Sequence, residues 1–126
     1  MYRKQGRYEE ALDYYHRSLD IKVRVVGHEH VDVAAGHVNI GNVYQGQGKY
    51  EEALVELKKG LDVLVTVHGH EHLHVAASCQ NIAVVYLKQG KRAQAIEMAT
   101  KAYDINLKVL GPDHPSTKIS KSFLGK

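Results

Sequence analysis

The sequence has one cysteine, two prolines and no tryptophan in 126 residues. A single cysteine, Cys79, excludes a disulfide framework within the chain and fits a reducing compartment, so a cytoplasmic protein is expected. Its expected role is that of a small buried apolar residue. Two prolines and no Ser-rich stretch leave no linker, and the length suits a single domain over 1–126. No apolar run approaches bilayer-spanning length. The N-terminal MYRKQGRYEEAL lacks the apolar core of a signal peptide. No membrane partner is expected. An excess of one charge is missing too: the formal net charge is +3, with basic and acidic residues interleaved. That is too weak and too scattered for a nucleic-acid surface. There is no nucleotide-binding glycine loop, no G-x-S-x-G and no H-E-x-x-H. Neither an enzyme nor a cofactor is expected.

What the sequence does contain is itself, repeated every 42 residues. Gly6, Gly48 and Gly90 share this spacing, as do Gly27, Gly69 and Gly111, and Tyr2, Tyr44 and Tyr86. GRYEEAL (6–12), GKYEEAL (48–54) and GKRAQAI (90–96) alternate with GHEH (27–30), GHEH (69–72) and GPDH (111–114). Residues 6–47 and 48–89 are identical at 22 of 42 positions, too many for chance. A period of this size marks a solenoid of stacked supersecondary units, and solenoids bury their core between neighbours.

Between Gly48 and Gly69, apolar residues fall at Tyr50, Ala53, Leu54, Leu57, Leu61, Leu64 and Val65. This i, i+3, i+4, i+7 spacing is the face of a helix. Glu51 and Glu52 open it, where the helix dipole favours anions. Gly69 closes it, as a glycine able to take the left-handed conformation. Residues 8–26 and 92–110 read the same way. A second helix spans about 73–88, with Cys79, Ile82, Ala83 and Tyr86 on its apolar face. The matching face one repeat earlier is His37, Ile40, Gly41 and Tyr44. Gly41 and Ala83 would let a neighbouring helix approach closely. The short turns at Gly48 and Gly90 make successive helices antiparallel. VRVV (23–26) and VLVTV (63–67) are β-branched and favour strands. The unbroken 3.6-residue phase predicts helix there nonetheless.

The repeat resembles the tetratricopeptide family. That signature has a small residue, a Tyr three positions later, a turn Gly and a small residue in the next helix. Here these are Gly41, Tyr44, Gly48 and Ala53, then Ala83, Tyr86, Gly90 and Ala95; the first copy shows only Tyr2, Gly6 and Ala11. The usual period is roughly 34 residues, and the excess here corresponds to about two helical turns. The 42-residue form, with QGKYEEAL at 47–54 and GPDHP at 111–115, is similar to the kinesin light chain type of repeat. The resemblance implies an all-α solenoid of antiparallel helix pairs, wound as a right-handed superhelix. The first helix of each pair would line its concave wall. It implies a protein–protein interaction scaffold, as in a kinesin light chain-like adaptor, holding a peptide segment of a partner in the groove. The family's groove positions fall on Val38, Asn39, Asn42 and Gln45, and on Gln80, Asn81, Val84, Leu87 and Lys88. Asn39 and Asn81 carry most weight, because an Asn there in the family bonds the backbone of an extended peptide. A side-chain amide has the donors and the acceptor for that task. The third copy departs, with Phe123 in place of Asn. Lys88 is the one basic residue of the set, which does not favour acidic peptides.

Nine histidines raise the question of metal. His28 and His30, and His70, His72 and His74, form H-x-H clusters, and imidazole suits zinc or copper. The clusters recur at the repeat period, however, and Pro112-Asp113-His114 loses the first histidine. Loop histidines that start the next helix explain the same pattern, so no metal site is expected. Glu9-Glu10 and Glu51-Glu52 point about 100° apart on a helix and cannot converge on one substrate. The repeating tyrosines are packing residues.

The chain is three periods long, but its limits fall inside first helices. Met1-Tyr2 match Val43-Tyr44, the end of such a helix, and 122–126 match 38–42, its middle. The stretch therefore reads as part of a longer array. A second reading is self-assembly, in which open ends of different copies complete each other as a homo-oligomer. In it, Ile119, Phe123 and Leu124 cover part of the face of helix 92–110, and the face of helix 8–26 stays largely bare.

Overall fold

A computed structural model describes residues 2–124; the side chains of 2–5 and 123 lie outside that description. The described residues form six α-helices and no strand: α1 (Tyr2–Val26), α2 (Val31–Gly46), α3 (Tyr50–His68), α4 (Leu73–Lys88), α5 (Arg92–Leu110) and α6 (Pro115–Phe123). Contacts group the chain into two compact units, Met1–Val67 and His68–Lys126.

The helices end on glycines that recur every 21 residues. Gly27, Gly48, Gly69, Gly90 and Gly111 all have positive φ, between 77° and 86°. Two kinds of turn alternate. After α2, the Lys49 N–H donates to the Tyr44 carbonyl (2.8 Å) and the Gly48 N–H to the Gln45 carbonyl (3.0 Å). This is a Schellman closure, repeated after α4 by Lys91 and Gly90. The turn after α5 differs. Gly111 has ψ 170°, so it is extended rather than left-handed helical, in a region open essentially to glycine alone. The β-branched segments stay helical, as the 3.6-residue phase predicts: α1 reaches Val26 and α3 reaches His68.

One boundary departs from the sequence reading. Met1-Tyr2 were expected to end a separate helix, with a turn at Gly6. Instead α1 runs unbroken through Gly6. The equivalent turns at Gly48 and Gly90 are held by a preceding helix folded back on the next.

In the first unit, α1 and α2 pack antiparallel. The Tyr8 ring lies against Gly46, and Leu19 against Gly36. The contact between α2 and α3 is closer still. A Cβ placed on Gly41 would lie 2.9 Å from Leu57 Cγ and 3.2 Å from the Ala53 carbonyl oxygen. One placed on Gly60 would lie 3.1 Å from the Ala34 carbonyl oxygen. Gly41 was legible as a small packing residue; Gly60, its counterpart on α3, was not singled out. Beside this contact, His37 Nδ1 meets Glu56 Oε1 at 2.9 Å. His37 therefore does not extend an apolar face. It is a half-buried polar residue with a partner on the facing helix.

In the second unit, Val75, Ala76, Cys79, Ile82, Ala83 and Val85 of α4 are buried. On α5 the buried residues are Ala95, Ala99, Ala102 and Asn106, a narrow face that admits close packing. Burial pushes the Cys79 thiol up, outweighing the opposite pull of Lys101. The cysteine is thus a core residue with little thiolate character. The covering of α5 by α6 was expected to use Ile119, Phe123 and Leu124. Ile119 instead is 59% exposed. Leu124 is half-buried, and the Phe123 side chain lies outside the described residues. α6 turns Thr117 and Ser120 inward. The reason is polar: buried Asn106 Nδ2 donates to Ser120 Oγ at 2.8 Å. A buried amide without such a partner costs more than an exposed isoleucine.

Two outcomes are expected from this packing. Ala53, fully buried, meets Gly41 through its carbonyl, so Ala53→Leu should lower stability by about 1–3 kcal/mol in urea denaturation. Thr117 occupies the position held by buried Val33 and Val75 in the other copies, and its hydroxyl has no partner among the described residues. Thr117→Val should raise the unfolding free energy by about 1 kcal/mol. A loss of stability would show that the hydroxyl is bonded.

Candidate functional site

The first helix of each repeat begins in the same way. His30, His72 and His114 are N-caps of α2, α4 and α6. Each ring accepts at Nδ1 from the backbone N–H two residues on: Asp32 (3.0 Å), His74 (3.1 Å) and Ser116 (3.1 Å). A helix start leaves N–H groups unpaired, and an imidazole lone pair does for one of them what Asp or Ser usually does. The caps explain why the loop histidines recur at the repeat period. They also require neutral rings, since a protonated imidazole has no acceptor. The pKa of His72 is held below its ordinary 6.5, first by desolvation and then by His68 and His74. A histidine with a folded pKa below its unfolded one favours the fold above that ordinary value. The contribution is lost as pH falls through the folded value.

In the first unit, Asn39 and Asn42 of α2 are exposed, and Val38 and Gln45 are half-buried. Val38 leans on α3, with Cγ2 3.2 Å from where a Cβ on Gly60 would stand, so it packs more than it presents. Asn39 lines a cavity of about 320 Å³ with Tyr14, Tyr15, Leu19 and Gly36. Lys22 and Asp32 also line it and approach each other to 3.4 Å. The rings of Tyr14 and Tyr15 stand edge to face at 5.5 Å. These tyrosines were missed in the sequence. Their signal was a departure from the repeat, because the later copies have Glu56-Leu57 and Met98-Ala99 there.

In the second unit, Gln80, Asn81 and Val84 of α4 are half-buried, and Leu87 and Lys88 are exposed. Gln80 is already engaged. Its Oε1 lies 3.2 Å from Ser120 Oγ, which also receives the Asn106 amide. Gln80 lines a cavity of about 310 Å³ with Ala77, Leu110, His114 and Ile119. Leu87 lines a different one of about 520 Å³ with Arg92, Ile96 and Leu124. Asn81 lines none of these three. The nine groove positions share helices α2 and α4, and Asn39, Gln80 and Leu87 each line a different one of these three cavities.

A tetratricopeptide repeat family model matches residues 1–64 and again 32–108. The chain belongs to the tetratricopeptide repeat family. Its helices superpose on BtubC (BKLC) from P. vanneervenii with a TM-score of 0.86 at 23% identity, over 95% of this chain and 48% of that one. The nearly identical TPR-like repeats of a candidate kinesin light chain from Podosopora anserina give 0.81 at 25% identity, over 98% of this chain and 58% of that one. The chain therefore spans about half the length of these structures, and its repeats are kinesin light chain-like. The comparison with curated proteins yields no match. Tetratricopeptide repeats mediate contacts between proteins, so the chain is a protein-interaction module. No helix among the described residues is long and apolar enough to cross a membrane.

If His30 holds α2 by its lone pair, His30→Ala should lower stability by about 1 kcal/mol, and His30→Asn should restore most of it. Equal losses in both variants, read by urea denaturation, would remove the capping role.

Proposed function

We propose that residues 1–126 act as one binding domain in a cytoplasmic scaffold, and that it holds an extended peptide segment of a partner protein along α2 and α4. Asn39 and Asn81 are the residues that bond the peptide backbone. The observation that carries this reading is the exposed amide of Asn39 at the cavity edged by Tyr14 and Tyr15. Amide and aromatic surface together suit a peptide unit and an adjoining apolar side chain. Asn42, Leu87 and Lys88 add exposed polar, apolar and basic contacts beside it. Gln80 contributes through Ser120 rather than by direct contact with the peptide.

A second reading, self-association, draws on α1. Tyr14 is 66% exposed, Ile21 59% and Val25 74%, an apolar stripe at i, i+7 and i+11. Sedimentation over a hundredfold concentration range separates the two, since only self-association makes mass depend on concentration.

The peptide reading is tested with peptides selected from a random displayed library against the wild-type chain. Replacing both Asn39 and Asn81 by Ala should weaken the selected peptides by about tenfold or more, two lost hydrogen bonds' worth. Helicity and melting temperature should stay unchanged. Undiminished binding, or unfolding of the double variant, would defeat the assignment.

A further inference from the structure

The N-cap role accounts for His72 but not for the two histidines gathered around it. At the other two junctions the equivalents of His68, His72 and His74 are Val26, His30 and Asp32, and Leu110, His114 and Ser116. Only the capping histidine recurs. The helix dipole favours a basic residue at the end of α3. It does not account for the placement of the His68 ring, stacked on His72 with centroids 3.8 Å apart and planes 7° from parallel. His74, two residues into α4, adds a third ring, 5.2 Å from that of His68 and 4.8 Å from that of His72. The donor nitrogens of all three lie within 4.8 Å of one another.

We propose that His68, His72 and His74 form a binding site for a divalent transition metal of the zinc class. His68 Nε2 and His74 Nδ1 stand 3.4 Å apart. Zinc–nitrogen bonds of 2.0–2.1 Å at a tetrahedral angle set two ligand nitrogens about 3.3–3.4 Å apart. Without metal the two nitrogens share a hydrogen bond, and an ion would take the place of its proton at a nitrogen separation that already matches the bite. The rings are inclined at 64°.

His72 stands differently. Its ring is parallel to that of His68, so the two sets of lone pairs lie in separate planes and cannot meet at one ion as they are. Its Nδ1 is also occupied by the His74 N–H. To ligate, His72 turns its ring and releases that hydrogen bond. Metal binding is therefore coupled to exchange of the cap, and the ion replaces the N–H as the partner of the ring. The fourth position belongs to water, because His74 is exposed and the site is open. An all-imidazole set selects zinc, copper or nickel over magnesium and calcium, which require oxygen ligands. Glu71, the nearest carboxylate in sequence, is drawn to Lys108.

No metal site is expected from the sequence, and the H-x-H run weighed there is not the cluster that forms. The spacing His70-x-His72-x-His74 suggests one chelating run along the loop, yet the cluster takes His68 from the end of α3 and leaves out His70. That difference gives the test its controls. Zinc chloride is titrated calorimetrically into the full chain in a non-chelating buffer, with cobalt absorbance as a second readout. One ion per chain is expected, with a tetrahedral cobalt spectrum and no heat from magnesium. His68→Ala and His74→Ala should each weaken zinc by about tenfold or more. His72→Asn keeps a good N-cap and removes only the imidazole, so it separates ligation from capping. It should also weaken zinc and should abolish the tetrahedral cobalt bands. His70→Ala and His30→Asn should leave the affinity unchanged. The proposal is overturned if zinc gives no saturable heat. It is also overturned if His68→Ala binds as the wild type does, or if the loss follows His70 instead.

Discussion

The fold rests on how closely successive helices can approach, and that distance is set by residues with little or no side chain. In the first unit Gly41 and Gly60 face backbone carbonyls of the opposite helix, at Ala53 and Ala34. Each helix lends its smallest residue to the other's main chain. Larger residues then fall into place on either side. Leu57 closes over Gly41, Val38 leans past Gly60, and Ile40 is shut off from solvent. In the second unit alanines serve the same purpose, with Ala83 on α4 and Ala95, Ala99 and Ala102 on α5. Contacts of this kind depend on shape, because dispersion at short range is lost over fractions of an ångström.

Polar pairs mark where one copy of the repeat differs from another. His37 and Glu56 meet in the first unit, and at the equivalent positions of the second stand Cys79 and Met98. A charge-capable pair and a pair of sulfur side chains occupy the same place in the architecture. Likewise Asn106 takes the position of Leu64 and Lys22, and it bonds Ser120, the counterpart of Ser78 and Gly36. The scaffold is generic, and the chain's individuality lies in these exchanges at fixed positions.

The helices were legible because their signal is local. Apolar spacing, the glycines and the histidine caps each act within a few residues, and the repeat supplied three readings of each. What escaped was non-local or lacked a second copy. The helix through Gly6 could not be read because the glycine at that repeat position marks a turn in the other two copies. The contact of Gln80 with Ser120 joins residues 40 apart in sequence. Val38 was assigned by its place in the repeat, which does not reveal that Gly60 leaves room for it to lean into α3. His68 lies outside the H-x-H run and joins His72 and His74 only when the chain bends at Gly69. Of the candidate groove, the helices that carry it were legible; the division of its positions among separate cavities was not.

The even spacing of the five positive-φ glycines fixes the arithmetic of the whole chain. Every glycine-to-glycine segment has the same length, and the helices recur in matching lengths, 16 residues for α2 and α4 and 19 for α3 and α5. One residue inserted inside a helix would turn everything beyond it by about 100° and carry a buried face into solvent. One inserted between Gly27 and His30 would meet no such penalty, since the cap restarts the helix wherever the histidine stands. The three histidine loops are thus the places where added length would disturb the helical register least.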